Sequence, residues 1–382
     1  MDIRKRALLK ASVGIGAGLA ASAVLAQAQA QPAAQPAGRG GAVASRGAVR
    51  SFAGSGKQTS MVDRNYKPTR INKAIELWEK DQPVFYTTYT PEGQQDGYEM
   101  GLAMAKTWCD AINIETEQGS YDISNLRNFM RGLADGGPTP SGHRTPMTFA
   151  TIPVTGDDEA NAKAGAWMVM QTLASGVHSV DICHASNPKA VAALIRAMRY
   201  PFDYPNTPKQ RPSEYGLRGN GSEDFAAGIW GITANQYFHV ADVWPLNPRG
   251  ELVVGAKIED IRAHANVNQV LSVPGVTFAE WGAGDSTLSI MGLEAYPETP
   301  PAGGGRGAGR GAQAGPRPAL DPRLDKARLT VLAACKAHNI RPLNLGNGTP
   351  LENYKEGTRV LGSGNEDAAL EVREYAKRTM PI

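Results

Sequence analysis

The chain has 382 residues, of which 41% are hydrophobic and 20% charged, enough for one large α/β domain. Its formal charge of +3 is uneven: residues 1–60 hold 8 of the 40 Lys+Arg and 1 of the 37 Asp+Glu, leaving 32 basic against 36 acidic residues in the remainder. The body is mildly acidic, which excludes charge-driven binding to nucleic acid or to an anionic membrane from the reading.

The first 30 residues read as an export signal. Arg4-Lys5-Arg6-Ala7-Leu8-Leu9-Lys10 is a charged n-region, 11–25 is a short apolar h-region, and Ala26-Gln27-Ala28 and Ala28-Gln29-Ala30 are A-x-A cleavage sites. The h-region is too short for a membrane span. The n-region resembles a twin-arginine signal in which Lys5-Arg6 stands for the arginine pair, so the mature protein is expected in the periplasm or secreted. Residues 31–60 are Ala, Gln, Pro, Gly and Arg with almost no large apolar side chain, and are expected to form a disordered tether ahead of a domain at 61–382. Cys109, Cys183 and Cys335 stand singly, without metal-ligand spacing, and read as small buried thiols.

From residue 71 strand-like and helix-like segments alternate. An opening helix at 71–80 precedes strands at 84–89, 111–114, 148–154 and 178–184, each followed by a helical stretch. A proline-punctuated excursion follows, with Gly216-Leu217-Arg218-Gly219-Asn220-Gly221 and a helix over 225–243. Strands at 252–258 and 276–281 flank a helical pattern carrying Ile261, Ala265, Asn268 and Leu271. The low-complexity run 300–318 is expected to be a disordered insertion. A helix at 324–338, strands at 342–345 and 358–361, and a helix at 366–378 complete the chain. Eight βα units in series predict a (β/α)8 TIM barrel.

Chemistry is placed at the carboxyl ends of the strands in such folds. Glu259 and Asp285 each stand just beyond a strand of one βαβ unit, and two hard oxygen ligands so placed suit a divalent cation. Lys257, two residues before Glu259, shares its inward face; Glu280 is a further inward acid. His184 ends the fourth strand and by alternation shares a face with Val180 and Ile182; it is a candidate base or ligand. Arg144, His143 and His178 carry no assignment, and His239, His264 and His338 fall on helical segments.

Three short motifs, K-I-E-D at 257–260, V-P-G-V at 273–276 and W-G-A-G-D-S-T-L-S at 281–289, resemble those of the HpcH/HpaI aldolase/citrate lyase family, which reads Q-I-E-T, V-x-G-V-D and I-G-x-x-D-L-S. Arg-Tyr-Pro at 199–201 followed by G-L-R-G-N-G is similar to its R-Y-P-P and G-x-R-G-x-G. The resemblance implies a barrel of the phosphoenolpyruvate/pyruvate-domain type and a divalent metal (Mg2+, Mn2+ or Co2+) on Glu259 and Asp285. It implies carbon–carbon bond cleavage or formation through a metal-bound enolate, with a 2-oxo acid and an aldehyde as partners, in a homo-oligomer. Glu117, Arg218, Gly282 and Gly284 are then expected at the substrate.

Two departures stand out. Where the family has D-G-E-H-A, with His as base, this chain has Glu115-Thr116-Glu117-Gln118-Gly119, and an amide accepts no proton near neutral pH. Where the family has V-R-P, it has Thr151-Ile152-Pro153, and Ile152 supplies no charge. His184, then Glu115, are the candidates for the missing base, and Lys257 for the missing cation. The rival expectation is an exported binding protein on the same barrel, without catalysis.

Overall fold

The computed structural model describes residues 52–92, 96–205, 207–296, 298, 319–362 and 364–382. The eight strands are β1 Val84–Tyr89, β2 Ala111–Glu115, β3 Met147–Thr155, β4 Ser179–Cys183, β5 Val253–Ile258, β6 Phe278–Trp281, β7 Arg341–Leu343 and β8 Val360–Gly362. They pair in parallel and in sequence order into a closed barrel, β8 returning to β1 through Val84↔Val360. This is the expected TIM barrel, with helices between the strands.

Alternation along the strands sorts the side chains into three environments. Ile112, Ile114, Ala150, Ile152, Val180, Ile182, Val254, Ala256, Ile258 and Ala279 face outward and pack with the helices in the main core. At the amino-terminal end of the barrel, Val84, Met147, Phe149, Val253, Phe278, Leu343 and Val360 fill the interior, covered by Trp78 and Trp244. Phe149 meets Phe278 edge-on at 5.7 Å. In the upper half the inward positions turn polar, with Asn113, Glu115, Thr151, Asp181 and Lys257. An apolar plug below and a polar mouth above leave one end for chemistry.

Local departures from the expected elements have clear causes. The helix expected over 225–243 is two, Asp224–Trp230 and Ala234–Val240, because Gly231 takes φ 72° and Thr233 opens a capping box with Gln236. The pattern at 261–271 is likewise broken at Asn266 into Ile261–Ala265 and Val267–Leu271. A helix not expected from the sequence, Ala283–Met291, starts directly after β6.

The export signal and the 300–318 insertion lie outside the described residues, as does most of the tether. Its end, 52–60, runs along the barrel. Phe52 packs partly buried on the main core, the Ser55 N–H donates to Glu366 at 2.9 Å, and the Thr59 hydroxyl donates to the Arg378 carbonyl at 3.3 Å. Among the described residues no helix is long and apolar enough to cross a membrane.

Candidate functional site

The site is built by the segments that leave β2, β4, β5 and β6. Glu259 follows β5 directly and is fully buried, with Lys257 beneath it on the same face. Glu117 stands two residues beyond β2, and its N–H donates to the Glu115 carboxylate at 3.1 Å. His184 leaves β4 with φ 47°, in the left-handed region that non-glycine residues seldom occupy. Strand alternation would have carried its side chain out with Val180 and Ile182. The left-handed turn instead brings it across the mouth, and its N–H donates to Glu259 Oε1 at 2.8 Å.

The imidazole lies between carboxylates. Nε2 is 3.6 Å from Glu117 Oε1, and Nδ1 is 3.7 Å from Glu259 Oε1 and 3.6 Å from Asp260 Oδ2. One ligand atom each from Glu117, His184 and Glu259 falls within 4.8 Å of the others. Lys257 Nζ takes the far oxygens of the same two glutamates, 2.7 Å from Glu117 Oε2 and 3.2 Å from Glu259 Oε2, with Cys183 Sγ at 3.9 Å. Exposure grades outward: the side chain of Glu259 is 0% exposed and Lys257 1%, but Glu117 is 14% and His184 31%. His184 is thus the member of the group that most faces an incoming molecule.

Burial sets the electrostatics and charge pairing corrects them. Burial raises the Glu259 carboxyl to about 7, against the opposing pull of Lys257 and of the His184 N–H. For Glu117 burial also works upward, but Lys257 overrides it and the net shift is down. Burial alone would lower Lys257; Cys183, Glu280, Glu259 and Glu117 outweigh it and hold the ammonium above its usual range. A lysine held protonated this way is a poor imine-forming nucleophile.

Gly282 abuts the cluster as N-cap of the helix Ala283–Met291. A Cβ there would stand 2.3 Å from Glu259 Oε2 and 2.6 Å from Glu259 Cβ. Gly282→Ala is therefore expected to leave the barrel folded but to displace the Glu259 carboxylate, and so to abolish, by calorimetry, binding of any divalent ion that the cluster holds. Unchanged binding would show that the carboxylate position is not critical.

Other candidates are placed differently. Gln118 is exposed beside the cluster, and Glu115 is buried behind Glu117. Asp285 lies half-buried in the first turn of the helix that starts at Gly282, outside the three-residue group. A Cβ on Gly284 would meet nothing within 4 Å. Ile152 faces the helix layer.

Arg218, expected at the substrate, is at the opposite end of the barrel. Its loop belongs to the connection from the helix Pro188–Ala197 to β5, which returns to the amino-terminal strand ends. There its guanidinium donates to Tyr237 Oη at 3.0 Å and lies over the rings of Tyr200 and Tyr237, at 4.5 and 5.2 Å. His143 and His178 are at that end too, bonded to Glu76 and Thr148. Arg144 donates to the Ile229 carbonyl.

Sequence reasoning passed over Asp260 and Asp181. Asp260 caps the helix Ile261–Ala265 and faces His184. Asp181 is a fully buried inward residue of β4, flanked by outward Val180 and Ile182, so alternation marks it.

No family model matches the chain, and no curated protein does. Solved structures do. An HpcH/HpaI aldolase/citrate lyase family protein from Burkholderia cenocepacia is 18% identical, with a TM-score of 0.54 over 79% of this chain and 95% of that one. An HpcH/HpaI aldolase from Desulfitobacterium hafniense is 15% identical, with a TM-score of 0.52 over 79% and 93%. The fold is that of the HpcH/HpaI aldolases. Macrophomate synthase is also similar, at 15% identity and a TM-score of 0.50 over 79% of this chain and 87% of that one. At these identities the likeness establishes the HpcH/HpaI barrel and says nothing of the chemistry.

Proposed function

We propose that the protein is a divalent-metal-dependent carbon–carbon lyase of the aldolase kind, acting on a 2-oxo acid or a related hydroxy acid. The observation that carries the reading is the convergence of Glu117, His184 and Glu259 at the carboxyl end of the barrel, their ligand atoms within 4.8 Å of one another. The Glu117 and Glu259 carboxylates supply hard oxygens that suit Mg2+, Mn2+ or Co2+, and His184 stands beside them free to act as base. The fit is supported by the chemistry of the donors: Glu117 Oε1 and Glu259 Oε1, the oxygens not taken by Lys257, both face the His184 ring at the mouth. Asp285, on the helix that abuts Glu259, is the further ligand we assign. A cation held there supplies Lewis acidity to the substrate's oxygen.

The chain's own residues do the rest. His184 presents a ring nitrogen at the mouth and exchanges the substrate's proton, in place of the base that Gln118 cannot be. Glu117 and Asp260 orient that ring. Glu115 is the second choice of base, being buried behind the loop. Export to the periplasm, small-molecule partners and a homo-oligomer belong to the same proposal.

The test is deuterium exchange into the methyl group of pyruvate, followed by NMR with the protein loaded with Mg2+, Mn2+ or Co2+. Exchange is expected to require the ion. Glu259→Gln should slow it on the order of a hundredfold or more, since Lewis-acid stabilisation is worth several kcal/mol and 1.36 kcal/mol is tenfold. His184→Ala should slow it by about 10²–10⁴. Full retention in His184→Ala passes the role to Glu115. No exchange by the loaded parent favours the second reading, a binding protein for 2-oxo acids. The specific observation behind that reading is that Ile152, where the family carries its arginine, faces the helix layer and brings no charge to the mouth.

A further inference from the structure

Lys257 occupies a position that the proposed metal chemistry does not use. Its ammonium, 1% exposed, is 2.7 Å from Glu117 Oε2 and 3.2 Å from Glu259 Oε2. These are two of the three side chains assigned to the cation. The near oxygens of both, Oε1, face His184 instead. Each glutamate is therefore divided, with one oxygen toward a fixed positive charge and the other toward the mouth.

A buried ammonium and a divalent cation on the same two carboxylates repel each other with little water between them. The ammonium cannot withdraw, because its strand position fixes the stem and the barrel wall surrounds it. With no ion bound, the same charge keeps Glu117 and Glu259 from repelling one another across the mouth.

From this geometry, and resting on the metal reading above, we infer that Lys257 is an internal counter-cation that sets the ion affinity of the site. It weakens binding of the divalent ion and holds the two ligand carboxylates in place when the ion is away. The site is thereby tuned for a freely exchanging ion such as Mg2+, and the empty barrel stays folded.

The experiment measures Mn2+ binding by calorimetry, and Tm with and without Mn2+, for the parent, Lys257→Gln and Lys257→Met. Both substitutions keep an unbranched stem, one atom shorter than lysine's, and remove the charge. The expected result is Mn2+ affinity raised tenfold or more in both variants. Their Tm without ion should be lower than the parent's, and their gain in Tm on adding Mn2+ larger. Variants that fold only with Mn2+ give the same answer. Parent-like or weaker affinity in the variants overturns the inference and leaves the metal reading standing, as a purely structural ion pair requires. Variants that stay unfolded with Mn2+ overturn it too. Absence of Mn2+ binding in both the parent and the variants removes the metal reading, and the inference with it.

Discussion

Asp110→Ala is expected to destabilise the protein more than any other single substitution. Asp110 is fully buried at the amino-terminal end of β2 and gathers three buried cations. Arg378 makes two hydrogen bonds to it at 2.8 and 2.6 Å, Arg373 donates at 3.1 Å, and Lys73 Nζ stands 3.1 Å away. The Phe85 N–H of β1 donates to it as well, at 3.1 Å. One carboxylate thus ties the opening helix Lys73–Trp78, the first two strands and the closing segment around Arg373 and Arg378.

Burial would push Asp110 up, but Arg378, Arg373 and Lys73 hold it well below the usual carboxylate range. Burial also lowers Lys73 to about 8, because Asp110 only partly offsets the cost and the two arginines add to it. Positive charge is already in excess there, and removing the single anion leaves it uncompensated. Breaking a buried pair in this way costs about 3–5 kcal/mol, and at roughly 2–4 °C per kcal/mol the Tm falls by about 10 °C or more. Because the folded pKa of Asp110 is depressed, its contribution is present above the unfolded pKa and disappears as pH falls through the folded one. The difference between variant and parent should therefore shrink in strong acid. Circular dichroism melts at pH 7 and pH 3 test both statements. Asp367→Asn, on the exposed Lys57–Asp367 pair, is the control and should not move the Tm measurably. An Asp110→Ala melt matching the parent would mean the cations are balanced elsewhere.

The barrel was legible because each strand carries a period of two and each connection a helical stretch. Ile112 and Ile114, Val180 and Ile182, Val254 and Ala256 point one way, and the residues between them point the other. Glu259 and Lys257 were legible for the same reason, as strand-end residues two apart. His184 was found by its place in the chain, but its direction was not readable. Alternation sends it outward, and only φ 47° at that one residue turns it to the glutamates.

Arg218 shows the opposite failure. Its motif resembles a substrate loop, yet its place between a helix and the following strand already assigns it to the amino-terminal end of the barrel. Connection order is the stronger constraint there, and Arg218 is held by Tyr200 and Tyr237 instead of by a ligand. Asp285 falls in the first turn of the helix that begins at Ala283, a helix the glycines around it do not announce, and lies outside the three-residue group.

Asp181→Asn is expected to stabilise the protein at neutral pH. Asp181 is fully buried inside the barrel, where the side chain its carboxyl meets is another acid, Glu280. It fits only because its neighbour on β5 is Gly255, whose Cβ would stand 2.3 Å from Asp181 Oδ1. The charged groups facing it are Glu280 of β6, Lys257 of β5 and Glu259 just beyond β5. Asn113 and Thr151 of the strands alongside are tied to each other at 2.9 Å. Burial pushes the Asp181 carboxyl well above its ordinary value, Glu280 adds to that, and Lys257 opposes it. The folded state therefore binds a proton that the unfolded chain releases. Stability falls as pH rises from the unfolded pKa near 3.9 toward the folded value. Asparagine has nothing to titrate, and its amide N–H donors have the Glu280 carboxylate within their surroundings. An unsatisfied buried acceptor costs about 1–3 kcal/mol, more when charged. The variant should accordingly melt several degrees higher at pH 7.5, at roughly 2–4 °C per kcal/mol, and level with the parent near pH 4. A lower melt at pH 7.5 would mean that the protonated carboxyl itself holds the interior together.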